Sequence, residues 1–425
     1  MSNLKSFIDN KIFTISFMLL MQTMFIQNVK VYFFLWFLVL LNEKRFKSFY
    51  SKILFVAHLI FTYFYVVFNY LSKDELPIFW DLQSFLQLIN CNYDFNYEFV
   101  FLNTTKLVSC INDIGFGPLS FYISGKLNTQ LITILFAVFY LFFLFFLLYK
   151  KFKTNELVKM TLLLISPSFL FLFESLNPDI FIFIYFSYRL IIRRDNLSFN
   201  IVDLVILTFF TQIKIYTLAV LFGILAYQYL KKERISLTFF FVFLNILFLT
   251  YHYFVLDKGT PTPSAINRTF GIISDFYIFK NSFGINYFII FLFICSVLIF
   301  INRKDVNQFI DFSNPEYLNY VTITYSPMII LILAFGNYGY KYTFVILFFI
   351  ALSFNLTLRT KITIYFSFLS TPLLYLFGYN YTDSIYNFLF YVFNRLSLLY
   401  ILFILISMLI NSIKYCIKTH IKNAK

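Results

Sequence analysis

At 425 residues, 60% of them hydrophobic and 13% charged, the chain has too little polar surface for a soluble globule of its length. Its formal charge of +14 does not point to nucleic acid: the Lys and Arg collect in short turns between apolar segments, where they meet anionic lipid headgroups and hold topology. The expected fold is all-α, a polytopic transmembrane helical protein. Many Phe, Tyr, Ile, Asn and Lys with few Gly match the bias of an AT-rich coding sequence, so aromatic richness carries no functional message.

The first apolar stretch runs from Ile12 to Leu41 and is interrupted by Gln22, Gln27, Asn28 and Lys30. It is too long for the apolar core of a signal peptide and lacks a small-residue cleavage pattern, so it is expected to stay in the mature protein. It is either one long tilted span or a span followed by a shorter interfacial helix; a single crossing puts the N-terminus outside. A span from Ile53 to about Leu71 follows, and then a polar first outer loop over residues 72–128. Within that loop Trp80 to Ile89 reads as an amphipathic helix lying at the interface.

Further spans are predicted near Thr129–Tyr149, Met160–Phe173, Ile180–Ile192, Ile201–Ile213, Tyr216–Leu230 and Ile235–Leu256. A second outer loop covers residues 257–286. The last spans fall near Tyr287–Ile301, Leu318–Phe335, Tyr342–Leu358, Ile362–Phe377 and Ile385–Ile413. Residues 1–425 thus read as one membrane domain of about 12 to 13 spans, with no separate soluble domain.

Every second turn is basic. Lys44, Arg45, Lys47 and Lys52 open the series, followed by Lys150, Lys151, Lys153 and Lys159, then Arg189, Arg193 and Arg194. Lys231, Lys232 and Arg234, the pairs Arg303–Lys304 and Arg359–Lys361, and the Lys414–Lys425 tail complete it. Together these hold most of the 34 Lys and Arg, and the positive-inside bias makes this set cytoplasmic and the intervening turns external.

The spans between Met160 and Leu230 are short, at roughly two-thirds of the ~20 residues a crossing needs. Short helices draw their connecting turns below the outer surface. Charge at that depth is tolerated where it lines a wet cavity or is buried in protein. Asn177, Asp179 and Lys214 are therefore expected to line an outward-opening cavity; the competing reading is a locally thinned bilayer with ordinary surface turns.

Along the external side lie Phe79-Trp80-Asp81-Leu82, Phe116-Gly117-Pro118-Leu119, Asn177-Pro178-Asp179, Lys214-Ile215-Tyr216 and Asn337-Tyr338-Gly339-Tyr340-Lys341. In this order they resemble the GT-C-type integral membrane glycosyltransferases, and more narrowly the polyprenyl-phosphate-sugar-dependent family 87 and its uncharacterised bacterial relatives. The likeness covers roughly Ile53 to Leu358. The chain departs from the family strings at Leu176 (Gly there), Thr217 (Pro) and Gly339 (acidic). The resemblance implies sugar transfer from a polyprenyl-phosphate donor to a hydroxyl of a glycan or lipid acceptor. The setting would be the outer face of a membrane of the bacterial cell envelope, the inner (plasma) membrane.

That chemistry needs a carboxylate to take the acceptor's proton, and Asp81 at the cavity rim is the expected catalytic base, with Asp113 of the same loop in reserve. Asp81 can equally N-cap the helix beginning at Leu82. Developing charge on the departing phosphate needs fixed donors. Lys214, with Tyr216 beside it, Lys341, Arg268 and Arg395 are the expected phosphate-binding residues, and Asp113, Asn177, Asp179, His252, Asn337 and Tyr338 the cavity lining. For Lys214 a salt bridge to Asp179, for Lys341 snorkelling to the interface, and for His252 a structural role compete with these assignments.

No metal-ligand spacing is present and no Gly-rich nucleotide loop, so a mechanism without metal or cofactor is expected; a cation shared by Asp81 and Asp179 stays open. Cys91 and Cys110 share the first outer loop, where a disulfide is feasible on an oxidising side. The alternative function is a transporter or flippase for lipid-linked oligosaccharide, or a polysaccharide polymerase. The sequence shows no repeated halves of the kind carriers have.

Overall fold

The computed structural model describes residues 2–42, 46, 48–71, positions within 139–150 and 156–172, then 179–192, 199–256, 269–270 and positions within 289–297. It also describes 315–334, 337–338, 342–352, positions within 362–370, and 385–423. The described chain is all-α apart from one two-residue antiparallel pairing. Two helical stretches among the described residues, Glu316–Ala334 and Leu389–Thr419, are long and apolar enough to cross a membrane.

The chain divides into two compact units. The first contains α1 (Ser2–Gln27), α2 (Val29–Leu41), α3 (Phe49–Leu71), α4 (Glu156–Leu164), and, from later in the chain, Tyr342–Leu352 and the start of the last helix. The break between α1 and α2 falls at Asn28, whose side chain accepts from the Val31 N–H at 3.3 Å and so caps α2. The Ile12–Leu41 stretch is thus two helices rather than one.

α1 packs on α2 and α3, and α4 packs on both α2 and α3. The terminal carbonyls of a helix have no donor within it. Here two side chains supply it: Trp36 Nε1 donates to Leu162 O at 2.8 Å, and Tyr63 Oη to Leu164 O at 3.0 Å. The fully buried Trp36 and Tyr32 form the centre of this packing, with Tyr32 Oη 3.4 Å from His58 Nε2.

The second unit contains α5 (Asp179–Ser187), continued by a π turn (Tyr188–Ile192), then α6 (Ile201–Ile213), a 3-10 turn (Ile215–Thr217), α7 (Leu218–Leu230) and α8 (Ser236–Leu256). After these come β1 (Thr269–Phe270), α9 (Pro315–Ala334) and β2 (Asn337–Tyr338). α5 begins directly after Pro178, which disfavours helical backbone in the residue before it. α6 begins with a capping box in which Asn200 accepts from the Asp203 N–H at 2.9 Å and Asp203 accepts from the Asn200 N–H at 3.1 Å. α10 (Tyr342–Leu352) belongs to the first unit, and α11 (Ile385–Asn423) begins in the first and ends in the second.

α5 and its π turn, α6 and α7 are each near 13 or 14 residues, about 20 Å at 1.5 Å per residue, against a hydrocarbon core of ~30 Å. The shortness read from the sequence is thus a property of the helices. α6 and α7 both pack on α8, and α7 packs along α9.

Gly223 makes the α7–α9 approach possible: a Cβ there would lie 2.5 Å from the carbonyl oxygens of Ile323 and Thr324. Pro327 lies inside α9 and has no N–H to give the Ile323 carbonyl, so the two backbones meet where the ladder is already open. Gly223→Ala is expected to destabilise the protein by about 1–3 kcal/mol, because the obstacle is backbone rather than a movable side chain. A thermal unfolding midpoint unchanged from the parent in detergent would contradict this.

Candidate functional site

α6 ends at Ile213, and Lys214 breaks the helix in extended conformation (φ −138°, ψ 108°) before the 3-10 turn starts. The break is held by backbone bonds: the Lys214 N–H donates to Phe210 O at 2.7 Å, and Lys214 O accepts from the Thr217 N–H at 3.2 Å and hydroxyl at 2.9 Å. Thr211 and Thr217 share a hydroxyl bond of 3.1 Å across it. The side chain of Lys214 is drawn inside, with the residue 6% exposed.

Two residues on, the Tyr216 hydroxyl donates to Asp179 Oδ1 in a short bond of 2.6 Å. Asp179 is fully buried in the first turn of α5, where the helix dipole favours a negative charge. The two short strings, Asn-Pro-Asp and Lys-Ile-Tyr, therefore meet in three dimensions. Next to them Gln212 Nε2 donates to Asn245 Oδ1 at 2.8 Å, and Asn245 Nδ2 to Thr208 Oγ1 at 3.0 Å, a buried polar seam between α6 and α8.

The far end of α5 holds a group that the sequence reading placed otherwise. Arg189, counted with the basic turns that meet lipid headgroups, is 3% exposed. Its Nη1 lies 3.5 Å from Asp203 Oδ2, its Nη2 donates to Tyr320 Oη at 3.0 Å, and its guanidinium stacks 4.4 Å from the Phe199 ring centroid. Tyr185 Oη donates to Asp203 Oδ1 at 3.0 Å. An interior carboxylate attracts a nearby cation that turn position alone assigns to the surface. The one signal in the sequence is Asp203, an acid three residues past Asn200 in an otherwise apolar segment.

Other expected site residues are placed as follows. Arg395 is buried in the first unit with its guanidinium 4.7 Å from the Tyr391 ring centroid, which gives that cation a cation–π partner. His252 lies within α8, and Asn337 and Tyr338 form β2. That strand pairs Thr269 with Tyr338 and Phe270 with Asn337, so the backbone at residues 269–270 reaches the Asn-Tyr string. Asp81, Asp113, Asn177, Arg268 and Lys341 lie outside the described residues, as do Cys91 and Cys110. Among the described residues no group of three or more His, Cys, Asp or Glu is placed to hold a metal.

No family model, curated protein or solved structure matches the chain.

Proposed function

We propose that the chain is a multi-pass membrane glycosyltransferase of GT-C-like architecture. It moves a hexose or pentose from a polyprenyl-phosphate donor to a hydroxyl of a lipid-linked or cell-envelope acceptor, at the outer face of a bacterial plasma membrane. The observation that supports this reading most directly is the 2.6 Å bond from Tyr216 to the buried Asp179, beside the buried Lys214. It joins two strings that sequence reading had assigned to one cavity, and it brings an acid, a phenol and a cation to consecutive turns of short helices. Negative charge that develops on the donor's departing phosphate needs a fixed cation, and Lys214 lies two residues from Tyr216 in the same connection.

In this reading Asp81 takes the acceptor's proton as its oxygen attacks the anomeric carbon. The bond from that carbon to the phosphate oxygen breaks, and polyprenyl phosphate leaves toward Lys214, with Arg268 as a further cation for it. Asp179 and Tyr216 shape the wall.

The test uses the full-length protein in lipid nanodiscs with polyprenyl phosphate carrying a radiolabelled hexose or pentose. Transfer of label to a glycan acceptor with release of polyprenyl phosphate is expected. In sealed proteoliposomes, label that crosses the membrane still on its lipid, with no polyprenyl phosphate released, assigns the carrier function instead and rejects transfer. Lys214→Ala is expected to raise the donor KM by about 10- to 100-fold, since a hydrogen bond to a charged group contributes about 1.5–3 kcal/mol. A donor KM equal to the parent's would remove Lys214 from the phosphate site.

A further inference from the structure

α5 with its π turn and α6 are tied together at both ends. At one end Tyr216, just past α6, donates to Asp179 at the start of α5. At the other end Asp203, in the first turn of α6, pairs with Arg189 and accepts from Tyr185, both on the α5 stretch. One tie joins Asp179 to Tyr216 and the other joins Arg189 to Asp203, so the two stretches run antiparallel.

We infer that Arg189 and Asp203 form a positioning clamp that fixes the rotation of α5 and α6 and thereby holds Asp179 and Tyr216 at bonding distance at the opposite end. Apolar helix faces slide and turn among several packings of similar energy, whereas a carboxylate with committed hydrogen bonds accepts few. Asp203 is committed on both oxygens. Oδ1 takes the Tyr185 hydroxyl, and Oδ2 takes the Asn200 N–H and faces Arg189, so α6 cannot rotate without breaking its bonds to Tyr185 and Arg189.

Arg189 is committed too, through Tyr320 on α9. It sits on a π turn, a rare conformation that recurs at functional sites, and the turn is held by the Tyr317 hydroxyl, which donates to Leu190 O at 2.7 Å. A short helix fixed at this end carries the orientation to Asp179. The inference deepens the reading of Asp179 and Tyr216 as cavity groups and rests on it for its functional meaning, but its test needs no sugar donor.

Meta-fluorotyrosine at position 216 of the full-length protein in nanodiscs supplies the readout, and Asp179→Ala shows where its fluorine resonance goes when the carboxylate is absent. The double variant Arg189→Met with Asp203→Leu exchanges the buried pair for apolar side chains, which leaves no buried charge unpaired and so costs less than removing one partner alone. Its resonance is expected to move toward the Asp179→Ala position while the protein stays folded. An unmoved resonance in the folded double variant would show that the pair only packs the helices, and overturns the clamp.

Tyr320→Phe removes one Arg189 partner and gives the reading if the double variant does not fold. A smaller shift in the same direction is expected, and no shift overturns the clamp. Sugar-transfer activity can fail without altering either result, because the resonance is recorded with no donor present.

Discussion

Asp203→Ala is expected to destabilise the protein by about 3–5 kcal/mol, the usual effect of removing one partner from a buried ion pair. The side chains of Arg189 and Asp203 are 1% and 6% exposed, so water cannot replace the lost carboxylate. Tyr320 and Phe199 still meet the guanidinium, but a phenol and a ring face do not neutralise a full charge. The same substitution removes the acceptor of Tyr185 and half of the α6 capping box. Against a total folding stability of about 5–15 kcal/mol, this is a large share. A marked fall in the unfolding midpoint in detergent is the expected measurement, and a midpoint within a degree or so of the parent would show that the pair carries no such weight. Asp203→Asn leaves a single acceptor oxygen, which can serve the Tyr185 hydroxyl or the Asn200 N–H but not both, so a fall between those of the parent and Asp203→Ala is expected.

Asp81→Asn is expected to reduce sugar transfer by about 10²–10⁴-fold, the range that a positioned general base contributes. The substitution is chosen because it separates the two roles the sequence offers for this residue. Asn caps a helix about as well as Asp, so a purely structural Asp81 tolerates the change. A base does not, since the amide cannot take a proton from the acceptor hydroxyl. Membrane insertion and the unfolding midpoint are expected to stay at parental values. Transfer at the parental rate would move the base elsewhere, with Asp113 the next residue to change.

Much of the helical layout was legible because apolar runs and the polar residues that end them are local signals. Ile201–Ile213 has the boundaries the sequence predicts, and Tyr342 begins a helix as expected. Ser236–Leu256 and Pro315–Ala334 differ from expectation by a few residues at their ends. The last helix runs on to Asn423, beyond the predicted Ile413, because Lys and Ile are good enough helix formers to continue it past the apolar window.

Of the site, the meeting of Asp179 with the Lys214–Tyr216 connection was legible through helix length, since short antiparallel neighbours bring their turns together. The particular bond from the Tyr216 hydroxyl to Asp179 was not legible, because it depends on which way a side chain turns out of the 3-10 turn. The Arg189–Asp203 pair was missed because counting charges by turn treats each cation alone, and pairing across a connection depends on which faces two helices present to each other. Nothing local to Gly223 marks it as the point where α7 and α9 nearly touch.

The end of α4 has a consequence for biosynthesis. The carbonyls of Leu162 and Leu164 are satisfied by Trp36 and Tyr63, side chains from about a hundred residues earlier in the chain. A ribosome delivers those two donors before α4 exists, so vectorial synthesis has the receiving surface ready when Leu162 and Leu164 emerge. A circular permutant that made α4 first would have to hold bare carbonyls in an apolar setting until its partners arrived.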